Sequence, residues 1–174
     1  MEKCFWIFNK PANCSSFRKR GKDDVFNYLP RGKDLRLIDG LDFRSQGLII
    51  VTTDAEFSSA CRRNPLPKVY RMECKSRDFD FERLKSREKG LLLEGKLYPF
   101  EVKLFGKAER HFNLEFKITR EPYGFLRRLA LIFKIKPLRI ERTSLGLFHL
   151  GRLAPGTFRP MSIKEIGMAE EMLK

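Results

Sequence analysis

The stretch that decides the fold is IDGLDFRSQGLIIVTTD, residues 38–54. Its second half, Leu48 to Val51, is an unbroken apolar, β-branched run, the composition of a strand covered on both faces. GLIIVTT (47–53) is therefore read as a buried strand. Asp54 follows at the position of a helix cap, where a carboxylate accepts from the first free N–H groups of AEFSSACRRN (55–64). Asp42 stands just before the strand, followed by Ser45 and Gly47. On local sequence alone an acid here is a turn former bonded to its own backbone, or a catalytic carboxylate.

Working outward, CFWIF (4–8) reads as an opening strand ended by Asn9, Lys10 and Pro11. Residues 12–23 are polar and basic, as in an exposed loop. DDVFNYLP suggests a short helix capped by Asp23 or Asp24 and stopped by Pro30. A short strand is expected near 35–38. Pro65 and Pro67 break the helix after Asp54 before a strand at 69–75. FDFERLKSREKG (79–90) reads as a helix with Gly90 as its stop. Strands are expected at 91–93, 97–105 and 111–119, the last alternating apolar and polar. GFLRRLALIFK (124–134) is an amphipathic helix with Leu126, Leu129, Ala130 and Phe133 inward. A strand at 138–142 precedes a Gly-punctuated stretch, and SIKE after Pro160 matches a capping box at Ser162. Helices and strands mix without strict alternation, so the fold class is α+β with a mixed, mainly antiparallel sheet.

The 174 residues suit one domain or two tightly fused lobes. A chain of this size buries roughly 70% of its unfolded surface, enough for a core without disulfide or metal. Cys4, Cys14, Cys61 and Cys74 form no C-x-x-C pair, and His111 and His149 lie far from them, which favours buried free thiols in a reducing compartment over zinc. No apolar run approaches the ~20 residues of a spanning helix, and no secretory leader is expected. Thirty-six Lys and Arg against 22 Asp and Glu give a formal charge of +14. That excess is spread along the chain rather than gathered in a tail, which points to a folded surface for a polyanion, nucleic acid before membrane.

The frame L-D-x-x-S-x-G-L-I-I-V-T-T-D resembles the segment G-R-L-D-x-x-T/S-x-G-L-L-L-L-T-N-D-G of the RsuA-like RNA pseudouridine synthases. Asp42 falls on the family's catalytic position, and Ser45, Gly47, Leu48, Thr52 and Asp54 match its surroundings. In family order, IFNKPANCSS (7–16) is similar to the opening strand and N-K-P-x-G turn. NPLPKVYRMEC (64–74) is similar to the P-x-x-x-K-x-Y segment. Residues 124–166 are similar to the R-Q-V-R-R-M helix and the strand and tail after it. The resemblance thus covers nearly the whole chain. Four positions depart from it. Gly40 stands where the family has an Arg, Gly124 and Phe125 stand where it has Arg-Gln, and Asn13 replaces the glycine of the opening turn.

The resemblance implies a single catalytic domain over 1–174, two fused lobes about a central cleft, without the small RNA-binding domain that often precedes it. It implies conversion of a specific uridine to pseudouridine in structured RNA, ribosomal RNA above all. Asp42 would be the catalytic carboxylate, Arg127 its ion-pair partner and Tyr70 the residue that stacks on the flipped base. One carboxylate, acting on the ribose as nucleophile or base, suffices without metal or organic cofactor. Lys10, Arg44, Arg62, Arg63, Lys68 and Arg128 are candidate phosphate contacts, with Lys10 alternatively pinning the turn before Pro11. The expected protein is a cytoplasmic monomer that acts on RNA and engages no membrane. Gly40 and Phe125 motivate a second reading, an RNA-binding or ribosome-assembly factor of weak or no activity.

Overall fold

The computed structural model describes residues 3–18, 23–31 and 34–172. Its strands are β1 (Phe5–Lys10), β2 (Arg36–Ile38), β3 (Gln46–Thr52), β4 (Lys68–Lys75), β5 (Leu91–Leu93), β6 (Lys96–Tyr98), β7 (Glu101–Ala108), β8 (His111–Ile118), β9 (Lys136–Leu145), β10 (Phe148–His149) and β11 (Phe158–Pro160). The α-helices are α1 (Ala55–Arg63), α2 (Phe81–Lys85), α3 (Phe125–Ile132) and α4 (Ile163–Glu171). A 3₁₀ turn at Val25–Asn27 is capped by the Asp24 side chain, which accepts from the Phe26 N–H.

Among the described residues, nine strands form one sheet in the order β11-β1-β3-β9-β4-β8-β7, with β2 on β3 and β10 on β9. Its named pairings are antiparallel except β3 with β9, which run parallel over only Gln46–Glu141 and Gly47–Arg142. The sheet is thus two antiparallel halves joined at a short parallel seam, and the mixed α+β expectation holds.

The strand read from LIIV is buried on both faces because alternate residues serve different cores. Ile49 and Val51 join Phe8, Tyr70, Phe116, Leu126 and Leu129 on one face. Leu48 and Ile50 join Ile7, Phe57, Cys61 and Ala169 on the other. Helix α3 therefore packs on the first face, and α1 and α4 on the second. The caps expected from sequence form as read. Asp54 Oδ1 accepts from the Glu56 and Phe57 N–H groups, and Ser162 and Glu165 close the capping box.

Three local expectations are corrected. The segment at 12–23 is not a wholly exposed loop. Cys14, Ser15 and Ser16 are buried, the Ser15 and Val25 N–H groups donate to the Asp23 and Ser15 carbonyls, and residues 19–22 lie outside the described residues. The helix expected over 79–90 ends at Lys85, after which Arg87 and Glu88 donate to carbonyls three residues back, tightening the chain into turns. The strand expected at 97–105 is two strands, since Pro99 carries no N–H for a ladder. Leu97 and Tyr98 pair with β5, whereas Glu101 onward pairs with β8.

The seam depends on Gly47. Its φ is +115°, and a Cβ there would lie 2.4 Å from the Arg142 carbonyl oxygen of β9. Only glycine tolerates both conditions. Gly47→Ala should lower unfolding free energy by roughly 3 kcal/mol or more, measured by urea denaturation. A loss below about 1 kcal/mol would contradict this close approach.

Candidate active site

A cleft of about 180 Å³ opens where the two halves of the sheet part. One wall is the loop between β2 and β3, with Gly40, Leu41, Asp42 and Ser45; the other is 121–126, leading into α3, and Tyr70 and Ile140 of β4 and β9 also line it. The volume suits one extruded base rather than a drug-sized ligand.

Asp42 sits at the edge of this cleft with its side chain 15% exposed. The loop folds back on it as a turn. Oδ1 accepts from the Arg44 and Ser45 N–H groups, both at 3.0 Å, and Oδ2 accepts from Ser45 Oγ at 2.6 Å. Arg127, in the first turn of α3, brings Nε within 3.1 Å of Oδ1. The turn-forming reading of Asp42 and the ion-pair reading are therefore both realised, on the same oxygen. Among the described residues Oδ2 accepts only from Ser45, which leaves it lone-pair capacity toward the cleft.

Tyr70 lines the cleft as a buried phenol. Its hydroxyl donates to Glu121 Oε1 and faces the Arg142 guanidinium at 3.5 Å. Burial pushes its pKa well above that of a free phenol, so it stays neutral at physiological pH. Burial likewise raises the Glu121 carboxyl. Cys14 and Cys61 are pushed up to about 11 and Cys74 to about 12, also by burial, so these are inert thiols.

The expected phosphate contacts divide. Arg44 is exposed beside Asp42, and Arg128 is half-buried on α3, paired with Glu94. Lys10 follows the second of its two readings, pinning the turn at Pro11, and is buried rather than a surface contact. It is 0% exposed, and its Nζ donates to the carbonyls of Pro11 at 2.9 Å, Cys14 at 2.7 Å and Phe43 at 3.3 Å. Lys68 is corrected likewise, being buried with Nζ on the Thr119 carbonyl at 3.0 Å and 3.6 Å from Asp39 Oδ1. Arg62 and Arg63, expected as phosphate contacts, are instead exposed on α1, on the opposite face of the sheet from the cleft, and are not placed to meet a strand bound in it.

Several site residues escaped the sequence reading. Arg142 is fully buried and joins the walls, Nε donating to the Leu48 carbonyl at 2.7 Å and Nη2 to the Asp39 carbonyl. The Tyr123 hydroxyl accepts from the Phe43 N–H at 3.2 Å across the cleft mouth. Ser16 Oγ donates to the Leu41 carbonyl at 2.8 Å and accepts from the Leu41 N–H at 2.9 Å. A Cβ at Gly40 would lie 2.9 Å from the Ser16 Cβ, so Ser16 occupies the space a side chain at 40 needs. Asn13 has φ +60°, a left-handed conformation that Asn adopts more readily than other residues bearing a Cβ. Phe125 is buried, its ring 6.1 Å from those of Tyr98 and Phe100.

By sequence the chain is similar to an uncharacterized RNA pseudouridine synthase of Aquifex aeolicus, 29% identical over 129 residues that cover 72% of this chain and 51% of that protein. It is also similar to one of Rickettsia felis, 26% identical over 164 residues covering 91% of this chain and 71% of that protein. The chain thus spans about half the length of the Aquifex relative. No family model matches it. By structure it is similar to a pseudouridylate synthase crystal structure with a TM-score of 0.78, 22% identity and coverage of 97% of this chain and 74% of that one. A chain of an H/ACA RNP bound to a substrate RNA containing 2'-deoxyuridine gives a TM-score of 0.67 at 12% identity, covering 84% and 48%. The fold is that of the pseudouridine synthases, as expected from the motifs.

Two outcomes follow from this geometry. Gly40→Ala should cost about 1–3 kcal/mol through overpacking against Ser16, and that added cost should shrink to under about 1 kcal/mol in a Ser16→Gly background, in a denaturation double-mutant cycle. Burial lowers the Lys10 pKa to about 8. A folded-state value below the unfolded one means that the unfolded chain binds the extra proton between about pH 8 and pH 10.5. This residue's contribution to stability therefore increases as pH rises through that window. Lys10→Met should remove that part of the slope in urea titrations; an unchanged slope would contradict the burial of the ammonium.

Proposed function

We propose that the protein is an RNA pseudouridine synthase of the RsuA-like type, an isomerase whose single catalytic domain holds the cleft between its two lobes. The observation that carries the reading is the Asp42–Arg127 pair, 3.1 Å apart at the edge of a base-sized cleft lined by Tyr70. The names of the sequence relatives and the shared fold support it. In the proposed reaction the N1–C1′ glycosidic bond of uridine breaks, C5 bonds to C1′, the C5 proton leaves to solvent and N1 gains a proton. No electrons are gained or lost. Asp42 Oδ2, the oxygen with spare lone pairs, acts on the ribose as nucleophile or base. Arg127 and the two backbone N–H groups hold Oδ1, so the carboxylate is oriented before substrate arrives. The Tyr70 ring, locked by Glu121 and Arg142, offers a platform for the extruded base.

RNA is the proposed partner and ribosomal RNA the proposed substrate, with Arg44 and Arg128 as rim cations able to meet phosphates. A cytoplasmic monomer fits this reading. Tritium release from ribosomal RNA transcripts labelled at uridine C5 tests it. The wild-type chain should release tritium, and Asp42→Asn should lower the rate at least roughly 10²-fold while RNA binding persists. RNA binding without any release by the wild-type chain would favour the RNA-binding factor instead.

A further inference from the structure

A second concavity adjoins the cleft. It is a groove of about 910 Å³ behind the 119–126 segment, formed by the β5–β6 hairpin, the start of β7 and the end of β8. One wall is shared. Thr119 and Arg120 line the groove, whereas Glu121 to Leu126 line the cleft. The Phe125 ring of the cleft packs 6.1 Å from the Tyr98 ring of the groove.

The groove combines an apolar floor with a cationic rim. Leu97 is 60% exposed and Tyr98 is half-buried beside it. Lys89, Lys96, Lys117 and Arg120 surround them. Two acids share the lining, and both are already engaged. Glu88 Oε1 accepts from the Val102 N–H at 2.7 Å, and Glu101 pairs with Lys117 at 3.4 Å. Lys89, Lys96 and Arg120 have no ion-pair partner among the described residues. An uncompensated cationic rim over an aromatic and aliphatic floor matches single-stranded nucleic acid, whose bases stack on the floor while its phosphates meet the cations.

We propose that this groove is a second RNA subsite, which takes the single-stranded nucleotides flanking the target base as the chain leaves the cleft over Arg120. The proposal rests on the reading of the cleft as an RNA-modifying site, because the shared wall is what makes an RNA strand the fitting occupant rather than an acidic peptide. It assigns Lys89, Lys96 and Arg120 to phosphates and Leu97 and Tyr98 to base stacking.

The test compares two variants that each remove two charges. Lys89→Ala/Lys96→Ala alters the groove, and Arg62→Ala/Arg63→Ala alters the opposite face of the sheet. Binding of a fluorescein-labelled, uridine-containing single-stranded RNA of about a dozen nucleotides is followed by anisotropy between roughly 50 and 200 mM salt. The groove variant should lower the magnitude of the log K against log salt slope by about 1.4, from two lost phosphate contacts. The α1 variant should leave the slope at its wild-type value. Equal changes in both variants would overturn the proposal in favour of diffuse attraction. So would displacement of the RNA by polyglutamate of equal charge at equal concentration. Tritium release is measured separately, so a wild-type chain that binds through the groove but releases nothing counts against the catalytic reading alone.

Discussion

The structure turns on how two antiparallel half-sheets meet along two residue pairs. A seam so short carries few ladder bonds, and side chains reinforce it: Gln46 Nε2 donates to Glu141 Oε1 at 2.8 Å across it, and Arg142 ties it from within. Arg142 leaves β9, crosses the seam fully buried, and donates to the Leu48 carbonyl of β3 and the Asp39 carbonyl of the loop before β3. A buried guanidinium is costly unless its donors are satisfied. Here the requirement works constructively, because the acceptors belong to the other half of the sheet. Satisfying Arg142 and joining the halves are the same event. Gly47 makes that possible by letting the β9 backbone come so close.

The cleft is a consequence of this arrangement. Strands that pair over only two residues diverge beyond them, and the divergence is the cavity. The loop that crosses its edge is tethered from beneath by cations bound to carbonyls. Lys10 reaches the Phe43 carbonyl, Lys68 lies beside Asp39, and Arg142 takes the Asp39 carbonyl. Residues 39–43 are thus held at both ends of Asp42, so the carboxylate presented to the cleft has few alternative conformations to lose on binding. Charge buried in the fold serves position.

This role of buried charge bears on what the sequence could and could not convey. Apolar patterning located β3 and α3, and cap residues located α1 and α4, because burial and unpaired helix-end N–H groups both leave marks in neighbouring residues. The motif frame located Asp42, Tyr70 and Arg127, which the structure brings to one cleft. The fate of Lys68 was not legible, and that of Lys10 was legible only as one of two alternatives. A lysine's letter is the same whether its ammonium meets water or three carbonyls, and only the tertiary path of the chain decides. Arg142 and Glu121 were missed for the same reason, since their partners lie 94 and 51 residues away. Pro99 did carry a local signal, a strand break, that the alternating pattern around it masked.

Of the four positions that depart from the motif pattern, Asn13, Gly40 and Phe125 have structural explanations, and nothing in the structure explains Gly124. Asn13 keeps the left-handed turn that a glycine would otherwise supply. That turn leads into Ser16, which grips the Leu41 backbone twice and fills the space beside Gly40. A side chain at 40 and the present Ser16 position exclude each other, so the loop is anchored by a neutral hydroxyl. Phe125 is similarly absorbed, packed between the cleft and the rings of Tyr98 and Phe100. Gly40 and Phe125 are close-packed, whereas Asn13 is exposed and a Cβ at Gly124 would meet nothing within 4 Å. The orienting contacts of Asp42 are supplied by Ser45, the turn and Arg127 rather than by position 40.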